Sequence, residues 1–126
     1  MTDSILIIGG EATLRSEIAS ALSEAGFAIA TVPDYPETLF KQNGVKLDIV
    51  IMDEVLPSGD GMEVCYQLHG AFDIPVILLG EDSSDEVWGR VMESGADLYL
   101  LKPVRYRELV ARVKAILRRY KARGNT

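Results

Sequence analysis

Two residues of this 126-residue chain combine types and positions suited to chemistry. Asp53 directly follows the apolar run Ile49-Val50-Ile51-Met52, and Lys102 directly follows Leu98-Tyr99-Leu100-Leu101. A carboxylate that closes an apolar strand is pushed toward a partly desolvated edge, where its ionised form needs a compensating cation. The long stem of a lysine can carry an ammonium across an intervening strand to that carboxylate, or to an anion bound beside it. Such a pair is either a structural ion pair or a reactive acid with its charge partner, and spacing alone leaves both open. Other chemistries have less support. One cysteine, Cys65, and one histidine, His69, cannot form a zinc site of the usual ligand count, so any metal must be held by oxygen. The two lie four apart on one helix, where a small buried residue and a helix-end cation explain them more simply than a ligand pair. Gly9-Gly10 after a strand suggests a nucleotide loop, but neither G-x-G-x-x-G nor a Walker lysine accompanies it.

The elements that must position Asp53 and Lys102 follow from apolar spacing. Ser4 to Ile8, Phe27 to Val32, Leu47 to Met52, Ile74 to Leu79 and Leu98 to Leu101 are short runs that predict strands, the first, continuously apolar, buried on both faces. Between them lie helical patterns. Leu14, Ile18, Leu22 and Ala25 are closed by Gly26; a weaker helix runs from Pro33-Asp34 through about Asn43-Gly44. Asp60-Gly61 opens a helix with Met62, Cys65 and Leu68 inward, after a loop over Val55 to Gly59. Ser83 or Ser84 caps a helix carrying Val87 and Val91 and ending at Ser94-Gly95, and Tyr106, Leu109, Val113, Ile116 and Tyr120 mark a last amphipathic helix. Five strands alternating with five helices predict a parallel α/β domain, doubly wound, with its function at the carboxyl ends of the strands. Those ends carry Gly9, Gly10 and Glu11; Asp53, Glu54 and Val55; Gly80 and Glu81; and Lys102-Pro103.

Length and composition bound the rest. The chain has the size of one domain, and 48% hydrophobic with 25% charged residues is the balance of a folded soluble chain. The apolar runs fall far short of the ~20 residues of a membrane span, and a lone cysteine fits the cytoplasm. The net charge of −6 conceals an asymmetry: residues 1–101 hold 4 basic and 18 acidic side chains, and residues 102–126 hold 9 basic and 1 acidic. The acidic body repels nucleic acid, and the basic end reads as a helix terminus and solvated linker.

The run Asp48 to Asp53, then Leu56-Pro57, Asp60-Gly61, Ile74-Pro75-Val76-Ile77 and Gly95-Ala96-Asp97-Leu98-Tyr99-Leu100-Leu101-Lys102-Pro103, closely resembles the receiver domain of two-component response regulators over nearly the whole chain. The resemblance implies a flavodoxin-like five-stranded sheet in the order 2-1-3-4-5. It implies Asp53 as phosphoacceptor, Lys102 as phosphate-sensing lysine and Tyr99 as switch aromatic. The helix Glu108 to Arg119 resembles the subclass joined to a winged-helix DNA-binding domain, so residues 1–121 are expected to form the receiver and 122–126 a tail or the start of a linker. The same resemblance implies a sensor histidine kinase or other signalling protein as partner and DNA only through an attached domain. It also implies a homodimer through the fourth helix, fifth strand and fifth helix, with Trp88, Asp97, Leu98, Glu108, Arg112 and Arg119 on its face.

The departures carry as much information. The two acids that receivers place after the first strand to hold Mg²⁺ are Gly9 and Gly10 here, and the Ser or Thr after the fourth strand is Gly80. The implied metal ligands shrink to Asp53 and the Val55 carbonyl, with Glu11 as a neighbour able to reach back or, more simply, a favourable charge at a helix start. Weak or absent Mg²⁺ binding and weak or absent phosphorylation of Asp53 are therefore expected, with output through protein contacts and no enzymatic activity. The alternatives are a conventional phospho-switched receiver that uses Glu11 as substitute ligand, and a small flavodoxin-like nucleotide- or cofactor-binding protein.

Overall fold

Each apolar run is too short for a helix and rich in Ile, Leu and Val, which suits a strand covered on both faces. In the computed structural model, which describes residues 2–36 and 46–124, these runs form β1 (Ser4–Ile8), β2 (Ala28–Val32), β3 (Ile49–Asp53), β4 (Val76–Gly80) and β5 (Leu98–Leu101). All pair in parallel, in the order β2-β1-β3-β4-β5. This is the flavodoxin-like order expected from the sequence. The described helices are α1 (Ala12–Glu24), α2 (Gly61–Ala71), α3 (Asp85–Ser94) and α4 (Tyr106–Gly124). Of the five helices expected, the one beginning at Pro33-Asp34 falls for the most part on residues 37–45, outside the described residues.

Alternation along the strands divides the core in two. Leu6, Ile8, Val50, Met52, Val76 and Leu78 face α2 and α3, where they meet Met62, Cys65, Leu68 and Val91. Ile5, Ile7, Ile49, Ile51, Ile77 and Leu79 face α1 and α4, where they meet Ile18, Leu22, Leu109, Val113 and Ile116. Every residue of β3 and β4 is buried. At about 1.5–3 kcal/mol per fully buried aliphatic side chain, these central strands hold the edge residues in place.

Several boundaries differ from the sequence reading for local reasons. β3 continues through Asp53, which therefore sits in the ladder opposite Leu79. β4 begins at Val76 because Pro75 has no N–H to donate, although its carbonyl accepts from Val50 N at 3.0 Å. β2 begins at Ala28 and not at Phe27, whose N–H closes the turn after α1 by reaching the Leu22 carbonyl at 3.2 Å. The expected loop over Val55 to Gly59 contains a two-residue antiparallel ladder, Val55–Leu56 with Gly59–Asp60, closed as Leu56 is drawn into the core. Asp60 is an N-cap, accepting from Met62 N at 2.9 Å; Ser84 caps α3 through Val87 N at 3.3 Å. α4 runs unbroken through Gly124, so residues 122–124 extend the helix.

Candidate functional site

Because the strands are parallel, their carboxyl ends gather on one edge, and backbone bonds carry the ladder to its last residues. Glu54 N donates to the Leu79 carbonyl at 2.9 Å and Lys102 N to the Gly80 carbonyl at 2.8 Å. Asp53 and Lys102, separated by β4 in the sheet, are thereby brought together. Lys102 Nζ donates to Asp53 Oδ2, and Val55 N donates to Asp53 Oδ1 at 2.9 Å. Asp53 is only 4% exposed. A carboxylate so far from water is tolerable because both its oxygens are engaged, one of them by a cation. The Lys102-Pro103 peptide bond that follows is cis.

On the β1 side of this pair, Gly9 and Gly10 have φ of +79° and +77°, a left-handed conformation costly for any residue with a Cβ. Leu56 occupies the space a Gly9 side chain would take, and a Cβ at Gly10 would lie 3.1 Å from Asp53 Oδ2. The Arg15 guanidinium donates to the Gly10 carbonyl. Glu11 is exposed at the N-cap of α1 and makes no side-chain capping bond. Val55 is exposed. Mg²⁺ takes six oxygens in near-octahedral order, with at least one or two carboxylates. Among the described residues no three His, Cys, Asp or Glu side chains converge as a metal site. Asp53 with one backbone carbonyl is a poor fit to that ion.

The other side of the edge is built around Tyr99. Its ring is 5% exposed and packs with the α2/α3 half of the core. Its hydroxyl donates to Glu54 Oε2 at 2.7 Å, with the Asp82 carbonyl at 3.0 Å as a second acceptor. Burial, and then the bond to the Glu54 carboxylate, push this hydroxyl up to about 12. Trp88 from α3 meets Tyr99 edge to face, with centroids 5.2 Å apart and planes at 77°. A Cβ built at Gly80 would overlap both the Tyr99 hydroxyl and Glu54 Oε2. Glu54 was visible in the sequence only as the residue beside Asp53; its partner lies 45 positions away, a relation that no local pattern encodes.

The remaining candidates separate into packed and exposed. Asp97 uses both oxygens within the chain, accepting from Val76 N and from the Tyr120 hydroxyl, each at 2.9 Å. Leu98 is half-buried, while Glu108, Arg112 and Arg119 are exposed. Arg112, Arg119, Asp97 and Leu98 share the lining of one groove, and Trp88, Tyr99, Leu101 and Glu108 that of another. Trp88 is 40% exposed and Met92, one turn on, is 80% exposed. Cys65 is buried, its thiol pushed up to about 11 chiefly by that burial; the His69 ring packs against Gly95.

Comparison with known proteins agrees with this architecture. The family model of the response regulator receiver domain matches residues 5–114. Sensory transduction protein RegX3 of Mycobacterium tuberculosis is 41% identical over 118 residues, covering 92% of this chain and 51% of that protein. DNA-binding response regulator MtrA of Mycobacterium leprae is 36% identical over 121 residues, covering 94% of this chain and 53% of that protein. The chain thus spans about half the length of the curated relatives it matches. A crystal structure of a two-component response regulator from Clostridium difficile superposes with a TM-score of 0.86 at 30% identity, covering 94% of this chain and 98% of that one. No described helix is long and apolar enough to cross a membrane. With its strand order, its edge pair Asp53 and Lys102, and a family match over most of its length, the chain belongs to the response regulator receiver domains.

Proposed function

We propose that this receiver is an atypical signal-input domain of a transcriptional regulator, with weak or absent Mg²⁺-dependent phosphorylation of Asp53 and with output through protein contacts. The observation that carries the reading is the donor set around Asp53. Phosphoryl transfer to a carboxylate brings a phosphate's charge against an anionic nucleophile, and neutralising that charge is most of the catalysis. A metal bound here would supply that neutralisation. Gly9 and Gly10 offer it no oxygen side chain, Leu56 fills the space beside Gly9, and Lys102 is the cation in contact with Asp53. Gly80 likewise has no hydroxyl with which to bond a phosphoryl group.

The name of RegX3 supports a role in sensory transduction, and that of MtrA, a DNA-binding response regulator, supports output through DNA. DNA contact then belongs to an attached domain, and the upstream partner is a sensor histidine kinase or another signalling protein in the cytoplasm. The chain acts as a signalling module and not as an enzyme. Its contact surface is the face of α3, β5 and α4, where Trp88, Leu98, Glu108, Arg112 and Arg119 support a homodimer, testable by light scattering over a concentration series.

The test of Asp53 is incubation with Mg²⁺ and a small phosphodonor, followed by intact mass. No increase is expected. Robust modification at millimolar Mg²⁺ contradicts the reading. If that modification then disappears in Glu11→Ala, Glu11, whose side chain makes no capping bond, is the substitute ligand of a conventional receiver.

A further inference from the structure

We propose that Gly80 and Glu54 form a built-in latch that holds Tyr99 inward, so that the surface carried by Trp88 is set without any change at Asp53. Three observations converge on it. The first is space. The Tyr99 hydroxyl and Glu54 Oε2 lie where the first carbon of any side chain at position 80 would have to be, and Glu54 Cδ is 2.6 Å from that point. Gly80 does not appear among the residues with positive φ, so here glycine serves clearance and not backbone conformation. With glycine at the end of β4 the tyrosine hydroxyl and the Glu54 carboxylate keep these positions, and a Cβ there would make both side-chain ends shift.

The second observation is attachment. A buried tyrosine needs a partner for its hydroxyl, since a hydroxyl taken from water and left unsatisfied destabilises the fold. Glu54 supplies a charge-assisted acceptor at 2.7 Å, and the Asp82 carbonyl is at 3.0 Å. Glu54 is itself held by its backbone, whose N–H meets the Leu79 carbonyl at 2.9 Å and whose carbonyl accepts from Gly61 N at 2.8 Å. The latch therefore joins the end of β3, the end of β4, the segment after β4 and the middle of β5, all within this chain.

The third is transmission. Trp88 stands edge-on to the Tyr99 ring, a geometry that the positive edge and negative face of aromatic rings favour beyond area burial. A Tyr99 ring turned outward would leave that contact, and Trp88, already 40% exposed, would lose its principal aromatic neighbour. The position of Tyr99 thus sets the shape of the groove that Trp88, Leu101 and Val104 line. The inference goes beyond the proposed chemistry of Asp53, and neither depends on the other.

The only tryptophan of the chain is the reporter. The chain is prepared without Mg²⁺ or phosphodonor, so the result is separate from whether Asp53 accepts a phosphoryl group. Trp88 emission and the Tyr99–Trp88 NOEs are measured for wild type, Gly80→Ala, Gly80→Ala/Tyr99→Phe and Glu54→Ala. Gly80→Ala is expected to lose the NOEs and shift Trp88 emission to the red. Adding Tyr99→Phe removes one of the two overlapping oxygens and releases Glu54 from its hydrogen bond, so that its carboxylate can swing clear, and is expected to restore the ring contact. Glu54→Ala adds no bulk and threatens the fold least; it is expected to broaden the Tyr99 ring signals and lower the pH at which Tyr99 ionises. Wild-type NOEs and emission in Gly80→Ala, or an unaltered Tyr99 in Glu54→Ala, overturn the latch.

Discussion

The carboxyl edge of the sheet carries glycine where a receiver would carry functional side chains in two regions, and the two regions use glycine for different physical reasons. Beside Asp53, Gly9 and Gly10 are needed for their left-handed backbone, and the space around them is already filled by Leu56 and by Asp53 itself. Beside Tyr99, Gly80 is needed for clearance, because the tyrosine hydroxyl and the Glu54 carboxylate occupy the volume a side chain would take. The first region has closed around an ion pair; the second has been opened to admit an aromatic ring. The same residue type thus removes expected metal ligands at one end of the edge and determines a side-chain position at the other.

The largest expected effect separates the two regions. Lys102→Met leaves the nearly buried Asp53 carboxylate with one N–H donor, and breaking a buried pair in this way should cost about 3 kcal/mol in urea unfolding. It should leave the Tyr99–Trp88 contact as it is; a loss of that contact would show that the regions are one unit. Next come the β1 glycines. Gly10→Ala should cost about 1–2 kcal/mol from its φ alone, and Gly9→Ala somewhat more because Leu56 must also move. Truncating Leu56 in the Gly9→Ala background should not restore stability, since the backbone strain remains. The corresponding rescue at Gly80, by removing the Tyr99 hydroxyl, should succeed, and that contrast in double-mutant cycles is the sharpest expression of the difference.

A smaller effect is expected in alkali. Burial and the carboxylate partners Glu54 and Asp97 raise Tyr99 and Tyr120 to about 12, above the ordinary value of about 10. A hydroxyl whose folded value is raised contributes stability that is fully present below about pH 10 and is lost as the pH rises toward about 12. Tyrosinate absorbance should show these two groups ionising late, and Glu54→Ala should move Tyr99 and not Tyr120. The smallest effect belongs to the end of α4. Arg123 stacks over Tyr120 at 4.7 Å and lies 3.7 Å from Asp73, both arginine and aspartate being exposed. Arg123→Ala should change thermal stability by less than about 0.5 kcal/mol, with no change at either glycine region.

How far the sequence foretells all this depends on the range of the interactions. The strands were legible because five apolar runs are each followed by a turn or charged residue, Gly9, Pro33, Asp53, Gly80 and Lys102, and the sheet order followed from the receiver resemblance. Asp53 and Lys102 were legible as a pair because each sits at a strand end, where charge on an apolar run demands a partner. The N-cap at Ser84 and the helix end at Gly95 follow local chemistry. Leu56 filling the space beside Gly9 and the Glu54 bond to Tyr99 were not legible. Both join side chains from separate elements, and their meaning appears only when three-dimensional volume is considered. Asp97 shows the same limit, since a residue expected on a contact face spends both oxygens on Val76 and Tyr120 of its own chain.

On the proposed reading, Asp53 is a retained acid in a site that assembles neither a metal nor a phosphoryl group. The most direct test of that reading is an NMR titration with Mg²⁺, alone and with beryllofluoride, following the amides of Asp53, Gly80 and Tyr99. Only small, non-saturating shifts are expected at millimolar Mg²⁺, and no new set of resonances with beryllofluoride. Saturable shifts converging on Asp53, with a second set of resonances at Gly80 and Tyr99, would contradict it.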